Sequence, residues 1–563
     1  MTPYERASSQ ALGIAEILHH ISSYLENDDL ITTIQVCKNW HTSLHSRLFR
    51  NIIVSYIPKD GSDIATVPPF SVIRANSHKI KSLTIIHRPP SRRFVEYLKL
   101  RDLSNLERFA WVRGGGGSGC HITRDHWRRV LDFLRANGST LKEVNIEYYN
   151  LAEIAQLWKV LAQHCTSLQH LRIQRVVIQE GDHSWFWLSC RKLVSLEMDN
   201  VRFYWPNFPG LVKNFHAEAN KLQEILDREE PKAISESPMG KAFEDLDDAS
   251  GNNAEYFFPY MKRLHLYGNT YPGEVPDVMK ECPKLESIRA ATGIRIFHAL
   301  ESSWPNLHSI SLPETFESDR NMARLITLLN PHIGPQDYQQ LAVNKSRRSL
   351  KALRIPYTTF GTECWEVLQF HQHTETLEHL NIKGSTLRDD ELISILRSCP
   401  RLKSLVAPIL HVAYINEGQD QPWACLGLER LIMGVEFLPN PRRPAVSQRE
   451  DDLQVVKKMQ QDFLNQLCRL HRLKSLVIGD YINGDRPFMG LSLKLDDGLG
   501  QLDGLRDLEE VSFVGSKVAK QDVEWMAEHW KRLRRACKPS ISMMPSDHRG
   551  LTLKGQQHID HPD

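Results

Sequence analysis

Ser385-Thr-Leu387-Arg-Asp-Asp-Glu-Leu392-Ile-Ser-Ile395-Leu396-Arg-Ser-Cys399-Pro-Arg-Leu402-Lys-Ser-Leu405-Val-Ala407 is the stretch on which the fold turns. Its first part carries apolar residues at helical intervals. From Leu402 the period changes to two, so Leu405 and Ala407 face one way and the residues between them the other, as in a short strand. The unit is strand, turn, helix, turn, and one sheet face of it packs while the other stays free.

The Leu402-x-x-Leu405-x-Ala407 pattern recurs along the chain with Ile, Val, Met, Phe or Ala as substitutes. Fourteen copies begin at Ile80, Leu106, Leu141, Leu168, Leu193, Met261, Leu285, Leu307, Leu350, Leu377, Leu402, Leu428, Leu473 and Leu508. Many spacings fall at 22–27 residues, the period of a leucine-rich repeat. Longer gaps predict insertions near 214–258, 314–349 and 434–460. Cys165, Cys190, Cys282 and Cys399 each lie three residues before the first leucine of a copy. Equivalent positions of stacked repeats form a row and do not converge as four metal ligands would, so these thiols are expected in the core. The pattern resembles the cysteine-containing leucine-rich repeats over roughly residues 80–537. It implies an α/β leucine-rich-repeat solenoid, a horseshoe with parallel strands on its concave face and helices on its convex face.

Composition agrees with a folded protein. Of 563 residues, 41% are hydrophobic and 25% charged, and the net charge is +2. Those proportions fit a soluble globular class, and the near-zero charge offers no global attraction to nucleic acid or to a membrane. The opening Met1-Thr-Pro-Tyr-Glu-Arg6 lacks the basic and apolar regions of a secretory signal. An interior location, cytoplasmic or nuclear, and reduced cysteines are therefore expected.

Ahead of the repeats, Ile14, Ile17, Leu18, Ile21 and Leu25 share one helical face. Asn27 or Asp28 can cap a second helix holding Leu30, Ile34 and Val36, and Trp40, Leu44, Leu48 and Phe49 suggest a third. So small a core needs neighbours to be stable. Residues 8–50 resemble the F-box, through Glu16-Ile17-Leu18, Tyr24-Leu25, Asp29-Leu30 and the closing Val36-Cys37-Lys38-Asn39-Trp40. Ala15 stands where that pattern has proline. Residues 51–79 read as a connector.

Other motifs have plainer readings. Gly114-Gly-Gly-Gly-Ser-Gly119 lacks the Lys-Ser/Thr of a phosphate loop and reads as a flexible loop. Residues 223–253 hold nine acids against three bases, the composition of a disordered insertion. Lys531-Arg-Leu-Arg-Arg535 closes a helical pattern and suits a helix C-terminus, and 538–563 reads as a disordered tail. No metalloprotease or serine-hydrolase motif is present, so no catalytic residue, metal or cofactor is assigned.

An F-box followed by leucine-rich repeats resembles the substrate receptors of SCF-type ubiquitin ligases. That resemblance implies a Skp-type adaptor and a cullin scaffold as partners, and a protein target held by the repeats. A plain interaction scaffold is the alternative. The adaptor surface is expected from Ile14, Ile17, Leu18, Ile21, Leu25, Leu30, Val36 and Trp40. For the target, the residue between the last two apolar positions of each copy faces the concave side. Arg354, Asn381, Val406, Ile432 and Val477 occupy that place in consecutive copies, and the three apolar ones form a candidate exposed patch. The competing expectation is that a segment such as Val435–Pro444, or the C-terminal tail, covers them.

Overall fold

The computed structural model describes residues 15–22, 25, 27–56, 65–66, 70–86, 103–112, 124–147, 154–179, 182–203, 256–267, 275–290, 304, 306–312, 318–328, 350–357, 360–412, 421–437, 450–479, 494–513 and 519–536. The chain forms two compact units, residues 1–285 and 286–563. Ile14, the 114–119 glycine run, the acidic stretch 223–253 and the tail 538–563 lie outside the described residues.

The first unit opens with three helices, Ala15–Ile21, Asn27–Thr33 and Lys38–Leu48. Strand β1, Asn51–Tyr56, follows almost at once. It pairs in parallel with β3, Ser82–Ile86, and the short β2, Ala65–Thr66, lies antiparallel on it. The sheet continues through β4 (Arg108–Val112), β5 (Glu143–Glu147), β6 (His170–Gln174), β8 (Ser195–Asp199) and β10 (Arg263–Tyr267), all parallel. Two short strands, β7 (Val177–Ile178) and β9 (Arg202–Phe203), pair apart from it.

In the second unit, parallel strands run without a break in order: β11 (Ser287–Ala290), β12 (Ser309–Ser311), β13 (Ala352–Arg354), β14 (His379–Asn381) and β15 (Ser404–His411) come first. Then follow β16 (Arg430–Glu436), β17 (Ser475–Ile478), β18 (Glu510–Phe513) and β19 (Arg535–Ala536). Each of the fourteen pattern copies starts one strand, and together with intervening helices this is a leucine-rich-repeat fold.

One backbone device generates the stacking. In nearly every copy, the residue after the first leucine offers its carbonyl to two N–H groups of the next copy in its unit. Arg50 O accepts from Lys81 and Ser82, each at 2.9 Å; Lys403 O accepts from Glu429 and Arg430 at 2.8 and 3.0 Å. The long gap after Leu193 does not interrupt it, because Lys262 and Arg263 donate to Val194 O. Leucines of the pattern then superpose in the core, Leu380, Leu405, Leu431 and Leu476 among them, all essentially inaccessible.

The helix within the opening stretch is Asp389–Ser398, with Leu392, Ile393, Ile395 and Leu396 buried. Three acids in its first turn suit the positive end of the helix dipole, and the Arg388 N–H donates to Glu391 Oε2 at 2.9 Å. Repeats also cap one another. Asp319, opening the helix Asp319–Leu328, accepts from the Gly361 and Glu363 N–H groups, 2.8 Å each, at the start of the helix Thr362–Phe370.

Several boundaries shift from those the pattern suggests. The supposed connector 51–79 contains β1, whose Phe49-x-x-Ile52-x-Val54 is another copy of the repeat, with Ile52 and Val54 buried. The gap 314–349 holds the helix Asp319–Leu328, which buries Met322, Leu325 and Ile326. The gap 434–460 shrinks as well, since β16 runs to Glu436 and the helix Glu450–Leu467 fills its end. Phe257 and Phe258, at the end of 214–258, are core residues. The four cysteines of the repeated slot are buried, and Cys425, three residues before Leu428, joins them. Burial pushes the Cys165, Cys399 and Cys425 thiols up to about 12, which makes them inert packing groups.

A buried histidine pair gives the second unit a pH dependence. His371 and His373 lie between the helix Thr362–Phe370 and β14, with ring centroids 5.9 Å apart. His373 is 1% exposed and its Nδ1 accepts the Leu350 N–H at 3.4 Å. Burial, with His371 beside it, lowers its pKa to about 4. The unfolded chain therefore takes up this proton first, below its ordinary value of about 6.5, and stability is lost as pH falls from there towards 4. Urea unfolding is expected to show wild type losing about 3 kcal/mol more than His373→Gln between pH 7 and pH 4.

Candidate adaptor and target interfaces

In the N-terminal module the apolar residues divide into two sets. Leu18, Leu30 and Leu44 form its core at 1–3% exposure, and Leu25, Ile34, Trp40 and Leu48 pack against them. The Arg47 guanidinium donates to Ser22 Oγ, tying the third helix to the end of the first. Ile17 and Ile21, one turn apart on the first helix, are each 38% exposed. Ile31 is 46% exposed and Val36, just after the second helix, 64%. A module this small thus leaves four large apolar side chains in water.

This arrangement sorts the residues named from the sequence. Ile17, Ile21 and Val36 are available to a partner; Leu18 and Leu30 are interior; Leu25 and Trp40 are half-buried against that interior. Their helical spacing did not distinguish these roles, because the apolar stripe is wider than the contact it makes. Ile31 was missed. Its signal is the pair Leu30-Ile31: neighbours on a helix are about 100° apart, so with Leu30 and Ile34 inward Ile31 must point elsewhere.

On the second unit, the parallel register places Arg354, Asn381, Val406, Ile432 and Val477 side by side on β13 to β17. The row exists as the pattern suggests, but its apolar part is not an exposed patch. Val406 is 9% and Val477 6% exposed; Ile432 is half-buried, and Arg354 is exposed. Strands stand about 4.8 Å apart, so short branched side chains are screened by those on either side and only long ones project. Val435, proposed as part of a covering segment, is instead a buried residue of β16 opposite Leu410. Residues 438–444 lie outside the described residues.

Beyond this row β15 and β16 extend past a register shift between Val406 and Ile409. There His411 lies between two carboxylates, Nδ1 3.1 Å from Asp389 Oδ2 and Nε2 2.9 Å from Glu436 Oε2. Both ring nitrogens are engaged. Among the described residues no group of three or more His, Cys, Asp or Glu could hold a metal ion. No described helix is long and apolar enough to cross a membrane.

The F-box-like family model matches residues 15–55, which span the three helices and most of β1. Residues 15–55 are an F-box-like domain. No curated protein matches the chain. Among solved structures, a leucine-rich-repeat protein of Leptospira interrogans is similar at 12% identity over 90% of this chain and 98% of that one, with a TM-score of 0.31.

Because Leu18 and Leu44 are interior, Leu18→Ala or Leu44→Ala is expected to cost about 2–5 kcal/mol and to open the module to protease while the repeats stay resistant. Ile31→Ser and Val36→Ser are expected to leave its protease resistance unchanged. Limited proteolysis of the full chain, with cleavage sites read by mass spectrometry, separates the two groups.

Proposed function

We propose that this chain is the substrate-recognition subunit of an SCF-type E3 ubiquitin ligase. The observation that carries the reading is the set of exposed apolar residues Ile17, Ile21, Ile31 and Val36 on the F-box-like module. They would dock into an apolar groove of a Skp-type adaptor, with Leu18, Leu25, Leu30 and Trp40 holding the helices that present them. The adaptor joins a cullin, and the open strand face of the repeats holds the target in the cytoplasm or nucleus. Arg354, Asn381 and Ile432 would contact that target, over a floor made by Val406 and Val477.

The chemistry belongs to the conjugating enzyme. This chain raises the local concentration of a target lysine, a proximity effect, and contributes no reacting group. Truncating an apolar anchor at an interface commonly costs about 2 kcal/mol or more. Ile17→Ala combined with Val36→Ala is therefore expected to weaken capture of a purified Skp-type adaptor at least tenfold, read by surface plasmon resonance on the full chain. Undiminished capture would remove these residues from the interface. No binding by wild type would favour a scaffold outside ubiquitin transfer.

A further inference from the structure

We infer that the open face of the second unit's sheet binds an extended acidic peptide whose two carboxylates straddle an apolar residue, and that Arg354 and Arg430 receive the carboxylates. The inference deepens the proposed function and rests on its assignment of this face to the target.

The argument starts from charge placement. Two positions of each strand point to the open face, the one two residues after the first leucine and the one four after it. From β11 to β17 these positions include Arg289, Arg354, His379 and Arg430, and no Asp or Glu. Several neighbouring strand-borne charges are paired. At the edge of the same sheet, Lys403 Nζ lies 2.6 Å from Glu378 and Lys474 Nζ 2.8 Å from Glu429. On the equivalent face of the first unit, Arg172 lies 3.6 Å from Glu197.

Arg354 and Arg430 differ from these pairs. Arg354 stands between Ser311 and Asn381, and Arg430 between Ser404 and Ser475. Both are exposed, and neither makes an ion pair among the described residues. The field they leave is felt nearby: burial, then the Arg354 charge, lowers the pKa of His379. The strand neighbours of each guanidinium are neutral hydroxyl and amide groups, and Glu510, which enters this face on β18, accepts from Ser475 Oγ at 2.7 Å, so a single further carboxylate balances each arginine through a bidentate pair.

Spacing fixes the length of the ligand. Three strand steps and two residues along the strand separate the arginines, about 16 Å at ordinary sheet dimensions. An extended peptide covers that in about five residues. Its middle would rest over Asn381 and Val406, on the two strands between them, with Ile432 beside Val406. The ligand is therefore a segment with Asp or Glu at two positions about five apart and an aliphatic residue between.

Selection of a displayed random peptide library on the full chain tests this directly. Peptides with two acids four to six residues apart around an aliphatic residue are expected to be enriched. A synthetic peptide made from the consensus should bind at least tenfold more weakly when its acids are changed to Gln, and at least tenfold more weakly to Arg354→Glu or Arg430→Glu. Arg354→Gln and Arg430→Gln, which remove the charge without reversing it, should show the same direction of loss, with melting temperatures of all variants confirming folding. No enrichment, enrichment without acids, binding indifferent to both substitutions, or binding only when phosphoserine replaces the acids would overturn the inference. Adaptor capture by the same preparation keeps the two readings apart. Acidic peptides selected without adaptor binding would refute the ligase assignment alone, and adaptor binding without acidic selection would refute this one alone.

Discussion

The carbonyl that opens a repeat strand accepts two N–H groups from the next repeat, and the rest of each unit depends on that contact. A repeat cannot satisfy this backbone by itself, nor can it bury its leucines alone. Stacking solves both problems together. Because the donor pair recurs at the same place from copy to copy, the register cannot slip without exchanging buried and exposed residues. Leu380, Leu405, Leu431 and Leu476 are held in one interior row by the constraint that holds Asn381, Val406, Ile432 and Val477 in an exterior one. Function on the open face is thus a consequence of backbone hydrogen bonding in the sheet.

The same position carries a second message in its side chains. From Lys351 onward, the residues whose carbonyls are shared read Lys351, Glu378, Lys403, Glu429, Lys474 and Glu509, so the sign of charge alternates from copy to copy. Hydrogen bonding from Lys403 and from Lys474 holds the Glu378 and Glu429 carboxyls below the usual carboxylate range. Each exposed pair is worth little, on the order of 0.2–1 kcal/mol. Their order matters more, since a shift by one repeat would set like charges together. Against this balanced edge, the unbalanced arginines of the open face stand out.

Much of this was legible in the sequence, and the failures have physical causes. Every copy of the leucine pattern marks a strand because its spacing encodes both turn and pleat. Phe49-x-x-Ile52-x-Val54 escaped because it follows the third helix so closely that it reads as that helix's end. The helix Asp319–Leu328 was hidden in a gap of unusual length, although Met322, Leu325 and Ile326 have helical spacing. At the candidate sites, periodicity gave the faces but not the exposure. Leu18 and Ile17 are adjacent in sequence, yet one is core and the other surface, a difference set by where the third helix packs. Val406 and Val477 were expected in water because the strand face is open, but neighbouring strands screen side chains that short. The alternating edge charges and the rows free of acids from β11 to β17 could have been read from the aligned copies alone.

The central claim is that shared carbonyls make the repeats of a unit one cooperative structure. Native-state hydrogen exchange on the full chain measures it at the donors themselves: Lys403 and Ser404, Glu429 and Arg430, Lys474 and Ser475. The account predicts that these amides exchange slowly, through one common opening of the C-terminal unit, with the same free energy and the same dependence on denaturant. Exchange that differs from pair to pair, or that proceeds at the rate of open loops, would contradict it.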